Sequence, residues 1–213
     1  GHRKVFGVHD LYSKFNWVTL MHNESESEVL RCLQEWHAFC SAARVPCNNM
    51  HTDNYASYLT PKVRSYVRDT MKARYTQSCP DTPRSNGTSE SQWRIMGNDT
   101  RRLLNHSSLP RNFAYYALRH SVDVRNTLPL RDDPDNCPYK LFLNRTPNVM
   151  SLRVWGCMVY PKLMHTAHKM ANQSLPCIHL GRCLAQPGFL CYDPAGRKLI
   201  SSIHCRFVES SCP

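Results

Sequence analysis

Apolar and polar positions alternate in two early runs, Arg3-Lys4-Val5-Phe6-Gly7-Val8-His9 and Phe15-Asn16-Trp17-Val18-Thr19-Leu20-Met21. Period-two patterning of this kind predicts two strands, with a turn over Asp10 to Lys14. The period then lengthens. Val29, Cys32, Leu33, Trp36, Cys40 and Ala43 recur at helical spacing, which predicts a helix over about 25–43 with these residues as its buried stripe. Asn23 or Ser25 can cap it, and Glu24, Glu26 and Glu28 suit its positive N-terminal end. A short strand around 48–52 leads to Asp53. Thr60-Pro61 is a helix start, a cap followed by proline at the first helical position. From there Val63, Tyr66, Val67 and Met71 share one side, while Arg64, Arg68 and Lys72 form a row on the other.

Two further helices are predicted at about 88–105 and 111–126, the second with Phe113, Tyr116, Ala117 and Val124 on its core face. The polar, proline-containing run Leu128 to Asp135 reads as a linker. Short strand-like runs follow it: Leu152–Tyr160, Ile178–Leu180, Phe189–Tyr192, Lys198–Ile203 and His204–Val208. Asp193-Pro194-Ala195-Gly196 is a hairpin turn. Such spacing of short strands is expected of a small β-barrel.

Composition adds a partner class. The 213 residues carry 27 Lys and Arg against 16 Asp and Glu, a formal net charge of +11. An excess of that size favours a polyanion, with nucleic acid the first candidate. The 11 cysteines are odd in number and contain no Cys-x-x-Cys, which favours reduced thiols in an intracellular protein over a secreted disulfide framework. No apolar run reaches membrane-spanning length, so no membrane partner is expected. The chain does not start with Met, as expected of a piece of something longer.

Against this background two acids stand out. Asp53 follows a predicted strand, and Glu90 lies 37 positions later in the first turn of a predicted helix, after Pro80-Asp81-Thr82-Pro83-Arg84-Ser85-Asn86-Gly87. Two carboxylates delivered in this way can share a divalent cation, because hard cations take oxygen ligands. His165 and His168 have no matching Cys pair and read as loop residues.

The ordered set of these features resembles the integrase of copia-type LTR retrotransposons. The resemblance runs from the strand–turn–strand–helix–strand–Asp53-Asn54 order through Pro-x-Thr-Pro-x-x-Asn-Gly-x-x-Glu90 to Arg94 and Arg101-Arg102-Leu103-Leu104. It continues in Leu109-Pro110-Arg111-Asn112-Phe113 and Val124-Arg125-Asn126. The second part resembles the module that follows the core in the same polyproteins, through Pro138-Tyr139-Lys140-Leu141-Phe142, Leu152-Arg153-Val154-Trp155-Gly156-Cys157, His179-Leu180-Gly181, Tyr192-Asp193-Pro194 and Phe207-Val208-Glu209.

The resemblance implies an α/β ribonuclease-H-like core, a mixed sheet with flanking helices, over residues 1–130. A small all-β SH3-like barrel over 131–213 follows it. It implies Mg2+ or Mn2+ as cofactor, DNA (element ends and target) as partner, homo-oligomers, nuclear localisation and DNA strand transfer as the ancestral reaction. Asp53 and Glu90 map onto two of three metal-binding acids. Arg64, Arg68, Lys72, Arg94 and Arg101 are the expected nucleic-acid contacts. For the first acid two readings stand: Asp10, which ends a predicted strand, or none, if the chain begins after the family's first strand and Asp10 is a turn residue. On the second reading the segment binds nucleic acid and catalyses little or nothing alone. Departures from the family pattern agree with it: Tyr55, Ala56 and Ser57 replace the usual glycines and glutamate, Ser91 replaces a basic residue, and Gly97, Asn98 and Asp99 stand where good helix formers normally lie. A non-enzymatic DNA-binding protein derived from a dead element is the alternative.

Overall fold

The structure is a computed structural model in which residues 4–78, 87–163, 172–184 and 186–212 are described. It divides into two compact units, and neither is one continuous stretch of chain. The first holds residues up to Arg94 together with Arg125–Pro147, and the second holds Ile95–Val124 with residues from Asn148 onward.

In the first unit, β1 (Lys4–His9) and β2 (Asn16–Met21) form an antiparallel hairpin in the register Lys4↔Met21 to His9↔Asn16. The turn between them is built on Asp10, whose carboxylate accepts hydrogen bonds from the Ser13 backbone N–H (2.7 Å) and hydroxyl (2.6 Å). Helix α1 (Glu26–Ala43) starts where Ser25 accepts a bond from the Glu28 N–H and stops where Arg44 turns left-handed. A serine cap of this kind contributes about 1 kcal/mol. Of the predicted stripe, Val29, Cys32, Leu33, Trp36 and Cys40 are buried, while Ala43 at the end of the helix is only partly covered.

Strand β3 (Asn49–Thr52) pairs in parallel with β4 (Arg74–Gln77). Between them α2 (Pro61–Ser65), capped by the Thr60 hydroxyl, widens into a π-helical turn over Tyr66–Thr70. The helix predicted beyond Thr60 is therefore short. Its wider turn still buries Val63, Val67 and Met71, and Lys72 leaves it with a left-handed φ of 55°. The hairpin and the parallel pair are separate two-stranded sheets, yet both contribute to one core: Phe6, Phe15 and Met21 meet Leu33, Trp36, Val63, Val67 and Ala73. The run after the predicted linker returns to this core as α5 (Pro138–Leu143), whose Phe142 ring stacks on Phe15 at 4.5 Å between centroids. The side chain of Asn126 closes the start of β2, accepting from the Asn16 N–H (2.9 Å) and donating to its carbonyl (2.7 Å).

Helix α3 (Gly87–Ser107) begins in the first unit and ends in the second. In the second unit α4 (Ala114–Thr127), entered through a 3-10 turn at Arg111–Phe113, buries Ala117, Leu118, His120, Ser121 and Val122. Phe113 and Ala117 pack with Trp155, Ile178 and Leu180. The sheet has five antiparallel strands, β5 (Met158–Pro161), β6 (Cys177–Arg182), β7 (Phe189–Asp193), β8 (Lys198–Ser202) and β9 (Cys205–Val208), in the order β8-β7-β6-β5-β9. The strand predicted over Leu152–Tyr160 shrinks to its last residues. A 3-10 turn at Val149–Ser151 and the positive φ of Gly156 (80°) end any extended run before it. A Cβ at Gly156 would overlap the Ser107 side chain, so this position needs glycine on two counts. Asp193 shapes the β7–β8 turn by accepting from the N–H groups of Ala195 and Gly196, each at 3.0 Å.

Candidate metal site and nucleic-acid interface

Asp53 is exposed just beyond the C-terminal end of β3. Its Oδ1 accepts a long bond, 3.4 Å, from the Tyr55 N–H. The Tyr58 phenol is pushed above its ordinary pKa, first by burial and then by the Asp53 carboxylate nearby. Beside Asp53, the His51 ring is held at both nitrogens, by Thr76 Oγ1 at 3.0 Å and Ser78 Oγ at 3.1 Å.

Glu90 is exposed in the first turn of α3, where the helix dipole favours an acid. One turn on, the Trp93 ring lies against Gly7 of β1 so closely that a Cβ on Gly7 would overlap it. That contact ties the start of α3 to the hairpin. Asp53 and Glu90 thus belong to the same compact unit, each presenting hard carboxylate oxygens to solvent. Among the described residues, no three His, Cys, Asp or Glu side chains come together as a metal-binding group. Asp10, the candidate first acid, spends its carboxylate on the Ser13 turn. Among the described residues the donor set therefore falls short of a closed metal centre. Pro80 to Asn86, and His165 and His168, lie outside the described residues.

The basic residues separate into two groups. Arg64 and Arg68, predicted as neighbours on a helix face, line a pocket of about 540 Å3 together with Arg74, Ala73, Tyr75, Thr76 and Gln77. Arg64 donates to Gln77 Oε1 at 3.2 Å, and Arg68 forms a two-bond pair with Asp69. That pair holds the Asp69 carboxyl down at about 2. Lys72 is exposed but is not among the residues that line the pocket. Arg74 was missed from sequence because it sits on β4, a four-residue strand with little alternation. On α3, Arg94 and Arg101 are exposed, and Arg101 donates to Asn98 Oδ1. Arginine forks of this kind match phosphate oxygens in bidentate geometry.

Comparison with known proteins agrees with this architecture. Residues 157–213 match the retroviral polymerase SH3-like domain. The chain is 35% identical over 137 residues, 64% of its length, to the retrovirus-related Pol polyprotein from transposon RE1 of Arabidopsis thaliana. It is 28% identical over 96% of its length to the corresponding polyprotein from transposon RE2 of the same plant. It is 25% identical over 91% to that from transposon TNT 1-94 of Nicotiana tabacum. It spans only 9% of the first polyprotein and 14% of each of the other two.

Among solved structures, the chain resembles one in a simian T-cell lymphotropic virus intasome in complex with PP2A regulatory subunit B56 gamma, with a TM-score of 0.55 and 16% identity. That match covers 97% of this chain and 70% of the other. The catalytic core domain of BIV integrase matches 66% of this chain and 85% of its own, with TM-score 0.51 and 15% identity. The HTLV-2 integrase catalytic core domain in complex with magnesium matches 65% and 83%, with the same score and identity. The chain is accordingly a homologue of the retrovirus-related Pol polyproteins of transposons, with the ribonuclease-H-like fold of integrase catalytic cores followed by an SH3-like module.

Proposed function

We propose that this chain is a segment of a copia-type integrase, an integrase-type core over about 1–130 with its SH3-like module over 131–213, and that its working activity is DNA binding through an arginine-rich surface. The observation that carries this reading is the gathering of Arg64, Arg68 and Arg74 around one pocket in a chain of net charge +11. Three guanidinium groups beside Tyr75, Thr76 and Gln77 suit a phosphodiester backbone, which supplies paired anionic oxygens at regular spacing. Lys72, Arg94 and Arg101 are further phosphate contacts on the same reading. Each phosphate neutralised releases counterions, so affinity should fall steeply with salt.

Within the parent polyprotein the reaction is divalent-metal-dependent DNA strand transfer in the nucleus, by an oligomer holding element ends and target. Asp53 and Glu90 are two of its metal ligands, and Mg2+ or Mn2+ would polarise the scissile phosphate. On this reading Asp10 serves the hairpin turn through its bonds to Ser13, and the segment taken alone binds DNA.

The test is fluorescence anisotropy with a labelled duplex across a salt series. Replacing Arg64, Arg68 and Arg74 together by Ala should reduce the slope of log affinity against log salt by about 3, while Asp53→Asn leaves binding unchanged. An unchanged slope in the triple variant overturns the assignment. Joining of a DNA 3′ end to a target in Mg2+ or Mn2+, lost on Glu90→Gln, would show instead that the segment is catalytic by itself.

A further inference from the structure

The second unit holds a group of thiols that DNA binding does not use. Cys191 of β7 is fully buried with Val159 and Cys177, and Cys205, the first residue of β9, packs on the same cluster. β7 and β9 are not hydrogen-bonded neighbours: β6 and β5 lie between them in strand order. The Cys191 and Cys205 thiols nonetheless share one apolar cluster and lie close enough to perturb each other. Cys205 is also reachable from outside. It lines a groove of about 720 Å3 together with Tyr160, Lys162, His204 and Arg206, and its thiol lies 3.5 Å from the Ser202 carbonyl.

We propose that Cys205 and Cys191 form a peroxide-responsive thiol pair, in which Cys205 is oxidised from the groove and Cys191 closes a disulfide across the sheet interior. In the first step the Cys205 thiolate attacks the O–O bond of a hydroperoxide. The sulfur gains one oxygen as a sulfenic acid, and the other oxygen leaves as water or an alcohol. In the second step the Cys191 sulfur displaces the sulfenic oxygen, an S–S bond forms and water leaves. With hydrogen peroxide the sum is two thiols and one peroxide giving one disulfide and two waters, so the protein loses two hydrogens.

Selectivity follows from the surroundings of each sulfur. The neighbouring Cys191 thiol, with Ser202, draws the Cys205 thiol below its ordinary pKa against the opposing effect of burial. Cys191 itself is pushed up, first by Cys205 and then by burial. Burial raises Cys157 and Cys177 to about 11, and in the first unit Cys32 to about 11 and Cys40 to about 12. Those thiols stay protonated, and inert, at neutral pH. The charged and titratable groups around Cys205 are Tyr160 of β5 and Lys162 beyond it, His204 and Arg206 beside it in the chain, and the Cys177 and Cys191 thiols of β6 and β7. None of these is an acid that would repel a thiolate.

The test uses the full reduced chain, treated with one to two equivalents of hydrogen peroxide, alkylated and mapped by mass spectrometry. The expected product is a Cys191–Cys205 cross-link lighter by two hydrogens. In Cys191→Ser the resolving thiol is gone, and dimedone should trap a sulfenic acid at Cys205. Iodoacetamide should label Cys205 faster than Cys183 or Cys212 at pH 7. Cross-links formed elsewhere first, or a Cys205 labelling rate that matches the other thiols, would overturn the proposal. The unmodified chain decides the cross-link result, so it stands even if the serine variant folds poorly.

Discussion

At the residue scale, buried histidines set how the second unit answers acid. His120 is 7% exposed, and its ring meets that of His179 edge-on at 6.0 Å. Burial first, then the neighbouring His179 and Arg119, lowers its pKa to about 3; burial also lowers His179. Between pH 6.5 and about 3 the unfolded chain takes up a proton that folded His120 refuses. Stability is therefore complete above pH 6.5 and is lost as pH falls through that window, by about 1.4 kcal/mol per pH unit for one such group. Urea midpoints measured from pH 7 to 4 should fall accordingly, and His120→Phe should flatten the curve. A wild-type midpoint that stays level over this range would contradict the burial argument. Little of this was legible beforehand, because a histidine on a helix carries no mark of which side will be covered. Asp10 had the same ambiguity: the residue type that binds metals also builds turns, and only its two bonds to Ser13 assign it to the turn.

At the scale of elements, strong periodicity translated directly into structure, and weak periodicity did not. The stripe of α1 and the alternation of β1 and β2 emerged as read, since each depends on local spacing alone. β4 and α5 were hidden because four and six residues hold too little pattern, and their place is decided by a parallel partner and by the Phe15–Phe142 stack. The π turn after α2 was likewise invisible: Arg64, Arg68 and Lys72 keep their spacing in the sequence, but the wider turn removes Lys72 from the pocket. The contact between α3 and β1 makes its own prediction. Gly7→Ala forces the Trp93 ring off the hairpin, at a cost of about 1–3 kcal/mol for overpacking. Trp93 emission should shift to the red, with Trp93→Phe as the blank. An unchanged spectrum would mean that the start of α3 is not held there.

At the scale of the molecule, the fold class was legible because an ordered set of motifs spans nearly the whole chain, and the similarity to transposon polyproteins extends over 96% and 91% of it. The path of the chain between the two units was not. Residues 95–124 group with the sheet, and 125–147 go back to the first core. That path has a consequence for how the sequence can be divided. Residues 131–213 alone retain Trp155, Ile178 and Leu180 but lose Phe113 and Ala117, which cover them. The shorter piece should melt without a cooperative transition and bind a hydrophobic dye, whereas 95–213 should melt cooperatively; equal behaviour of the two would refute the point. Recombination at the linker would therefore transfer a sheet stripped of its cover. A cut anywhere between residues 95 and 148 divides at least one of the two cores, even though only 128–135 reads as a linker in the sequence.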